Sequence, residues 1–158
     1  MTSRFKQKLF IFDIDGTLSL PQHRLHFLDD KENPHRRRDF YAACDLDEPN
    51  KPVIMVMNSL LLSGAEVWLF SGRSDEVMGE TVDWLHKHVP LLMLEPGVIM
   101  MRPAGDSTPD DKLKESWYEN MLIDDQRRLV GVFDDRNRVV NMWRSKGVPC
   151  FQVAPGDF

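Results

Sequence analysis

The sequence predicts an α/β fold: a parallel sheet with helices covering both faces. Two patterns predict it. Short apolar runs of strand length alternate with longer segments of helical spacing, and three of those runs stop abruptly at Asp or Ser. With 158 residues and 42% hydrophobic content, the chain suits one domain with a single core, spanning 1–158.

The elements follow in order. Leu9–Phe12 (LFIF) is an unbroken apolar run and reads as a buried strand. Residues 19–50 are charged, hold Pro21, Pro34 and Pro49, and read as an irregular insertion with one short helix. From Lys51, the residues Val53, Val56, Met57, Leu60 and Leu61 recur at helical spacing, and Gly64 supplies the stop. Glu66–Phe70 is the next strand, closed by Ser71-Gly72-Arg73, and Ser74 or Asp75 caps a helix reaching about His88. Leu91–Leu94 and Val98–Met101 read as short strands, and a helix runs from Pro109-Asp110-Asp111 to about Asn120. Leu129–Phe133 is a strand ending at Asp134-Asp135, Val139–Lys146 a helix, and Pro149–Val153 the last strand. The crossovers between parallel strands are expected to be right-handed.

Composition excludes several function classes. A net charge of −5 argues against a protein held on nucleic acid by bulk charge, though a local basic site for one phosphorylated end stays open. Two cysteines, Cys44 and Cys150, are too few for a disulfide framework, so a reducing cytoplasm is the expectation. Asp13 and Asp15 interrupt the apolar stretch behind the basic start, so no signal peptide is expected there. No run approaches the about 20 apolar residues that span a bilayer, so no membrane partner is expected.

Function is legible at the strand ends, because ligands of such sheets bind beyond the carboxyl ends of the strands. Asp13 follows LFIF, Ser71 follows EVWLF, and Asp134-Asp135 follows LVGVF, so three strands deliver acid or hydroxyl groups to one rim. Asp13 and Asp15 are two apart and point to one side of an extended backbone. Two carboxylates that close repel unless a cation lies between them or one is protonated. An Asp-Gly turn with no chemistry is the plainer reading of Asp13-Ile14-Asp15-Gly16-Thr17 taken alone.

Taken together, these motifs resemble those of haloacid dehalogenase superfamily phosphatases: Asp13-Ile14-Asp15-Gly16-Thr17 the first, Ser71 the second, a downstream lysine the third, Asp134-Asp135 the fourth. The chain is similar, more closely still, to the 3′-phosphatase half of bacteriophage polynucleotide kinase-phosphatases. Arg24, Ser71-Gly72-Arg73, Arg102 before Gly105-Asp106, Asp110-Asp111 with Lys114, Asp134-Asp135-Arg136, Met142-Trp143-Arg144 and the tail Gln152–Phe158 carry that likeness. It implies a three-layer Rossmann-like sheet with a short insertion after the first strand and a minimal cap or none. It implies Mg²⁺ as cofactor, held by Asp13, by Asp15 through its backbone carbonyl, and by Asp134 with Asp135 beside it. Asp13 becomes the nucleophile that forms an aspartyl-phosphate. Asp15 becomes the acid and then the base, Ser71 with backbone N–H groups and Thr17 the phosphoryl cradle, and Lys114 the neutralising cation. Lys112 is a rival for that last role, although Asp110-Asp111-x-x-Lys114 matches the subfamily pattern better.

The resemblance also implies a substrate: 3′-phosphate ends of DNA or RNA, gripped by Arg24, Arg73 and Arg102, with Gly72 among the binding residues. Guanidinium groups suit phosphate because they bind it in a planar, bidentate way. The run His35-Arg36-Arg37-Arg38 is either a solvated face or a track for a nucleic-acid backbone. His23 with His26, and His86 with His88, lack the accompanying spacings of a zinc site. No Gly-x-x-x-x-Gly-Lys-Ser/Thr occurs, so 5′ phosphorylation is not expected of this chain, and a kinase or ligase would be a separate partner. A nucleotidase for free mononucleotides, or a non-catalytic module that binds nucleic-acid ends, are the rival functions.

Overall fold

The computed structural model describes residues 7–158; the basic stretch 1–6 that entered the leader reading lies outside the described residues. Strand β1 (Leu9–Phe12) is buried at all four positions, as an unbroken apolar run requires when both faces of a strand are covered. Beyond it come β2 (Ser19–Leu20), α1 (His26–Asp29), α2 (Arg36–Ala42) and β3 (Glu48–Pro49), and β2 pairs antiparallel with β3. Helix α3 (Lys51–Leu62) has Pro52 in its first turn, where a missing N–H costs nothing. The remaining elements are β4 (Glu66–Ser74), α4 (Met78–His88), β5 (Ile99–Arg102), α5 (Asp110–Glu119), α6 (Ile123–Arg128), β6 (Leu129–Asp134), α7 (Asn137–Ser145) and β7 (Cys150–Gln152).

Five strands form one parallel sheet in the order β5-β4-β1-β6-β7. The chain steps outward from β1 to β4 and β5, then returns to the far side of β1 for β6 and β7. Right-handed crossovers therefore place α3 and α4 on one face and α5 and α7 on the other. On that second face the Phe70 ring meets Trp117 and Trp143, and Tyr118 meets Trp143 edge-on. The reversal of direction beside β1 has a functional consequence. Connections leaving β1 and β6 run to opposite faces, and in open sheets of this kind ligands bind at the carboxyl ends of the strands beside such a reversal.

Four expectations need correction. Leu91–Leu94 is not a strand: Leu92 is buried, its N–H bonds back to Val89, and the β4 edge it would have joined is taken by β5. Residues 123–128 form a helix that periodicity did not reveal, because its IDDQRR sequence has no apolar stripe. Arg128 holds it through Asp125 and Glu66. The insertion holds two short helices rather than one, with 3₁₀ turns at Gln22–Arg24 and Cys44–Leu46. It is also anchored: the Trp84 indole N–H donates to the Asp47 carbonyl at 2.8 Å. Ser74 caps a 3₁₀ turn, Asp75–Val77, rather than α4 itself: its hydroxyl accepts from the Glu76 N–H, and α4 follows from Val77 without a side-chain cap. Cys44 and Cys150 are free and buried, and no helix among the described residues is long and apolar enough to cross a membrane.

Candidate active site

The register of the sheet assembles the site. Phe12 of β1 pairs with Phe133 of β6, and the Asp13 N–H donates to the Phe133 carbonyl at 2.9 Å, so Asp13 and Asp134 leave adjacent strands side by side. From α5, Lys114 reaches between them: its Nζ donates to Asp13 Oδ1 at 2.8 Å and to Asp134 Oδ2 at 2.7 Å. All three are buried. Burial would lower the Lys114 pKa, but Asp13 and Asp134 outweigh it and keep the ammonium charged. Lys112, its rival from the sequence, is exposed and pairs with Glu115 at 3.0 Å.

Asp13, Asp134 and Asp135 each offer a carboxylate oxygen, all within 4.8 Å of one another. Burial raises the Asp13 pKa well above the ordinary carboxylate value, with Asp134 and Asp135 adding to it against Lys114. Asp135 is pushed up to about 7 by burial and by Asp134. Three buried carboxylates share one ammonium, so negative charge is in excess where water scarcely reaches. A hard divalent cation with oxygen ligands, such as Mg²⁺, fits this donor set.

The same excess predicts a pH dependence. In chelator, the folded protein keeps protons on Asp13 and Asp135 that the unfolded chain has released, so stability falls as pH rises from about 4 to about 7. A divalent cation such as Mg²⁺ added at neutral pH should reverse the loss. Thermal denaturation at about pH 5 and about pH 7.5, with EDTA or with Mg²⁺, measures both effects. Equal stability at the two pH values in EDTA, with no gain from Mg²⁺, would refute the charge assignment.

Asp15 sits in a different environment. Its Oδ1 accepts from Arg24 Nη2 at 2.5 Å, from Arg73 Nε at 2.8 Å and from Ser19 Oγ at 3.3 Å. Burial would raise its pKa, but Arg73 and Arg24 outweigh it and hold the carboxyl below its ordinary value. Both arginines are fully buried and share a second acid, Asp47, whose oxygens accept from Arg24 at 2.7 and 2.6 Å and from Arg73 at 2.8 Å. Arg24 also donates to the Phe40 carbonyl and lies 4.1 Å over the Phe40 ring, while Arg73 reaches Thr81. The two arginines expected to grip substrate phosphate therefore meet Asp15 and Asp47 first.

The other expected residues line the same rim. Register puts Ser71 two residues beyond Leu69, the β4 partner of Phe12, and its buried hydroxyl accepts from the Arg73 N–H at 3.2 Å. The Thr17 hydroxyl is buried and lacks a hydrogen-bond partner among the described residues, which suits a group awaiting a ligand oxygen. The Gly72 carbonyl accepts from Tyr41 Oη at 3.1 Å and from Arg102 Nε at 3.0 Å. Arg102 is also paired with Asp110, which it shares with Arg136. Burial would raise the Asp110 pKa, but Lys114, Arg136 and Arg102 bring it below the ordinary value. Gly16 has φ +82°, and a Cβ there would stand 2.1 Å from Asp135 Oδ2, so only glycine lets the first motif fold against the fourth.

Residues 7–158 match the family profile described as "Polynucleotide kinase PNKP phosphatase domain". The chain belongs to this family. It is a haloacid dehalogenase superfamily phosphatase related to the 3′-phosphatase domains of polynucleotide kinase-phosphatases. A protein of Autographa californica nuclear polyhedrosis virus, assigned as a bifunctional polynucleotide kinase/RNA ligase, is 30% identical over 138 residues. Those residues are 87% of this chain and 18% of the viral protein. A chain in the structure of the Pnkp1/Rnl/Hen1 RNA repair complex superimposes with a TM-score of 0.75 at 31% identity, covering 96% of this chain and 44% of that one. The chain thus spans less than half of these relatives. A class C acid phosphatase from Bacillus anthracis, with tungstate bound, shares the fold at 15% identity and a TM-score of 0.62, covering 96% of this chain and 68% of that one.

Two acids of this phosphatase domain escaped sequence reasoning. Asp47 lies in the charged insertion, where nothing local separates a buried hub from a solvated carboxylate. Asp110 entered only as a spacing mark for Lys114, yet its side chain approaches Gly72 so closely that a Cβ there would stand 2.7 Å from Oδ1. The signal for Asp110 was available: a glycine between two polar motif residues marks a close approach.

Proposed function

We propose that this phosphatase domain hydrolyses 3′-phosphomonoesters at polynucleotide ends through an aspartyl-phosphate on Asp13. The observation that carries the reading is the division between two carboxylates two residues apart. Asp13 lies in an acid cluster that raises its pKa, and Asp15 lies on an arginine clamp that lowers its own. The cluster can hold a cation against Asp13, which suits a metal-bound nucleophile, while Arg24 and Arg73 hold the Asp15 carboxyl apart from it, which leaves that group for proton transfer.

Asp13, Asp134 and Asp135, with the Asp15 carbonyl, would hold Mg²⁺. When bound, the ion neutralises the acid cluster and draws charge from the phosphoryl oxygens. Asp13 Oδ1 is fixed by Lys114, which leaves Oδ2 for the phosphorus. Lys114, the Thr17 and Ser71 hydroxyls and the backbone N–H groups after Ser71 stabilise the transferring phosphoryl group. Asp15 is ionised in the free site, so to act as an acid it must first take a proton from solvent or from a monoprotonated phosphate ester as the ester arrives. A phosphate dianion beside it repels its charge and draws on Arg24 and Arg73. Protonated Asp15 then donates to the leaving alkoxide, and the carboxylate left behind deprotonates the water that cleaves the acyl phosphate.

The polynucleotide substrate is supported by the names of the relatives, a polynucleotide kinase/RNA ligase and an RNA repair complex, and a kinase or ligase is the fitting partner. Phosphate release is measured from a 3′-phosphorylated oligonucleotide and from free 3′- and 5′-mononucleotides, with Mg²⁺ and with EDTA. The oligonucleotide should be preferred and EDTA should stop turnover. Preference for the 5′-mononucleotide makes the protein a nucleotidase instead, and full activity in EDTA removes the metal.

A further inference from the structure

We propose that helix α2 is the surface that receives the nucleic-acid strand upstream of the terminal phosphate, with Arg37 and Arg38 contacting backbone phosphates. This inference rests on the 3′-phosphatase reading above and extends it from the reacting phosphate to the chain that carries it.

The helix has two distinct halves. Its C-terminal half is built into the active site: the Phe40 carbonyl and ring hold Arg24, and Tyr41 Oη donates to the Gly72 carbonyl that Arg102 also uses. The N-terminal half is Arg36-Arg37-Arg38, of which Arg37 and Arg38 are exposed. Arg37 precedes Tyr41 by four residues, so the two share a face about 6 Å apart along the helix. Arg37 thus lies on the helix face that carries Tyr41, whose hydroxyl meets the Gly72 carbonyl that Arg102 shares. Its charge is felt there: burial raises the Tyr41 phenol pKa, and Arg102, Asp110, Asp15 and Arg37 all act on that hydroxyl.

Charge pairing separates these arginines from the rest of the site. Arg24, Arg73, Arg102 and Arg136 are each tied to a carboxylate. Among the described residues, Arg37 and Arg38 form no ion pair, although the protein is acidic overall. Asp39, the one acid in the helix, is occupied by the Asn33 amide at 2.9 Å, and Arg36 donates to the Lys31 carbonyl. Asp29, Asp30 and Glu32 on the preceding segment are exposed, and none of them forms an ion pair with either guanidinium. Unpaired cations beside a phosphate-processing site fit an anionic backbone, whose neighbouring phosphates repeat along a line leading from the terminal one.

The test compares the parent with the double variant Arg37→Ala/Arg38→Ala on a 3′-mononucleotide, a 3′-phosphorylated trinucleotide, a 3′-phosphorylated dodecanucleotide and a small aryl phosphate. The parent should gain kcat/KM with length. The variant should lose that gain, roughly tenfold on the dodecanucleotide, and keep the parent's rate on the aryl phosphate. The salt slope of its log kcat/KM should flatten by about 1 to 2. Arg37→Lys/Arg38→Lys, which keeps the charge, should retain most of the gain. An unchanged length dependence in the alanine variant, or equal loss on aryl phosphate and dodecanucleotide, overturns the α2 surface. A parent that ignores 3′-phosphorylated oligonucleotides while cleaving the aryl phosphate overturns the substrate reading itself, and the α2 surface with it.

Discussion

Asp13→Asn should lower turnover on the order of a thousandfold or more while leaving the metal-free protein at least as stable as the parent. The two halves of this result have one cause. Asn has the shape of Asp and still offers an oxygen to Lys114, so the fold keeps its contact at the head of β1. It cannot attack phosphorus to give an acyl phosphate, so the nucleophilic step is lost. It also removes one negative charge from a buried cluster that repels itself. A carboxyl whose pKa is raised by folding destabilises the fold above its ordinary pKa, so a neutral isostere relieves the strain at neutral pH. The gain in Tm on adding Mg²⁺ should shrink accordingly. Steady-state turnover and thermal melts with and without Mg²⁺ report both quantities. Near-parental turnover ends the assignment of the nucleophile, and a sharply lower metal-free Tm ends the account of the acid cluster.

The second large effect is expected at Asp47. Its carboxylate is fully buried and meets Arg24, Arg73, Ser19 and His23, so Asp47→Ala leaves two buried guanidiniums with Asp15 as their remaining carboxylate. Removing one partner of a buried ionic network costs about 3 to 5 kcal/mol, because the stranded charge has no water to replace it. For a chain of this size that lowers Tm by on the order of 10 °C. Catalysis should suffer beyond the loss of fold. Without Asp47 the arginines lose the acid that fixes their positions beside Asp15, and kcat measured well below the variant's own Tm should drop about tenfold or more. An Asp47→Ala protein as stable and as active as the parent would show that the arginine clamp does not depend on this acid.

These two predictions differ in how readily each residue could be read from the chain. Asp13 announces itself: an apolar strand stops at it, and Asp15, Gly16 and Thr17 follow at fixed spacing. Lys114 was readable only through its spacing from Asp110, and its contact with Asp13 spans 101 residues. Asp47 gave no signal, because its partners lie 23 and 26 residues away and only the folded insertion brings them together. Helix α6 went unseen for a related reason. Its stability comes from Arg128 reaching Glu66 across the sheet rather than from any apolar face of its own.

The linear order of residues decided where strands begin and stop, and hence which acids and hydroxyls stand at one rim. Burial periods and strand breaks are local, and a parallel sheet turns them into a common edge. Folding in three dimensions decided which charges neutralise which: Lys114 against Asp13 and Asp134, Arg24 and Arg73 against Asp15 and Asp47, Arg102 and Arg136 against Asp110. Buried charges must be matched within a few ångströms, and the residue that does so can lie anywhere along the chain.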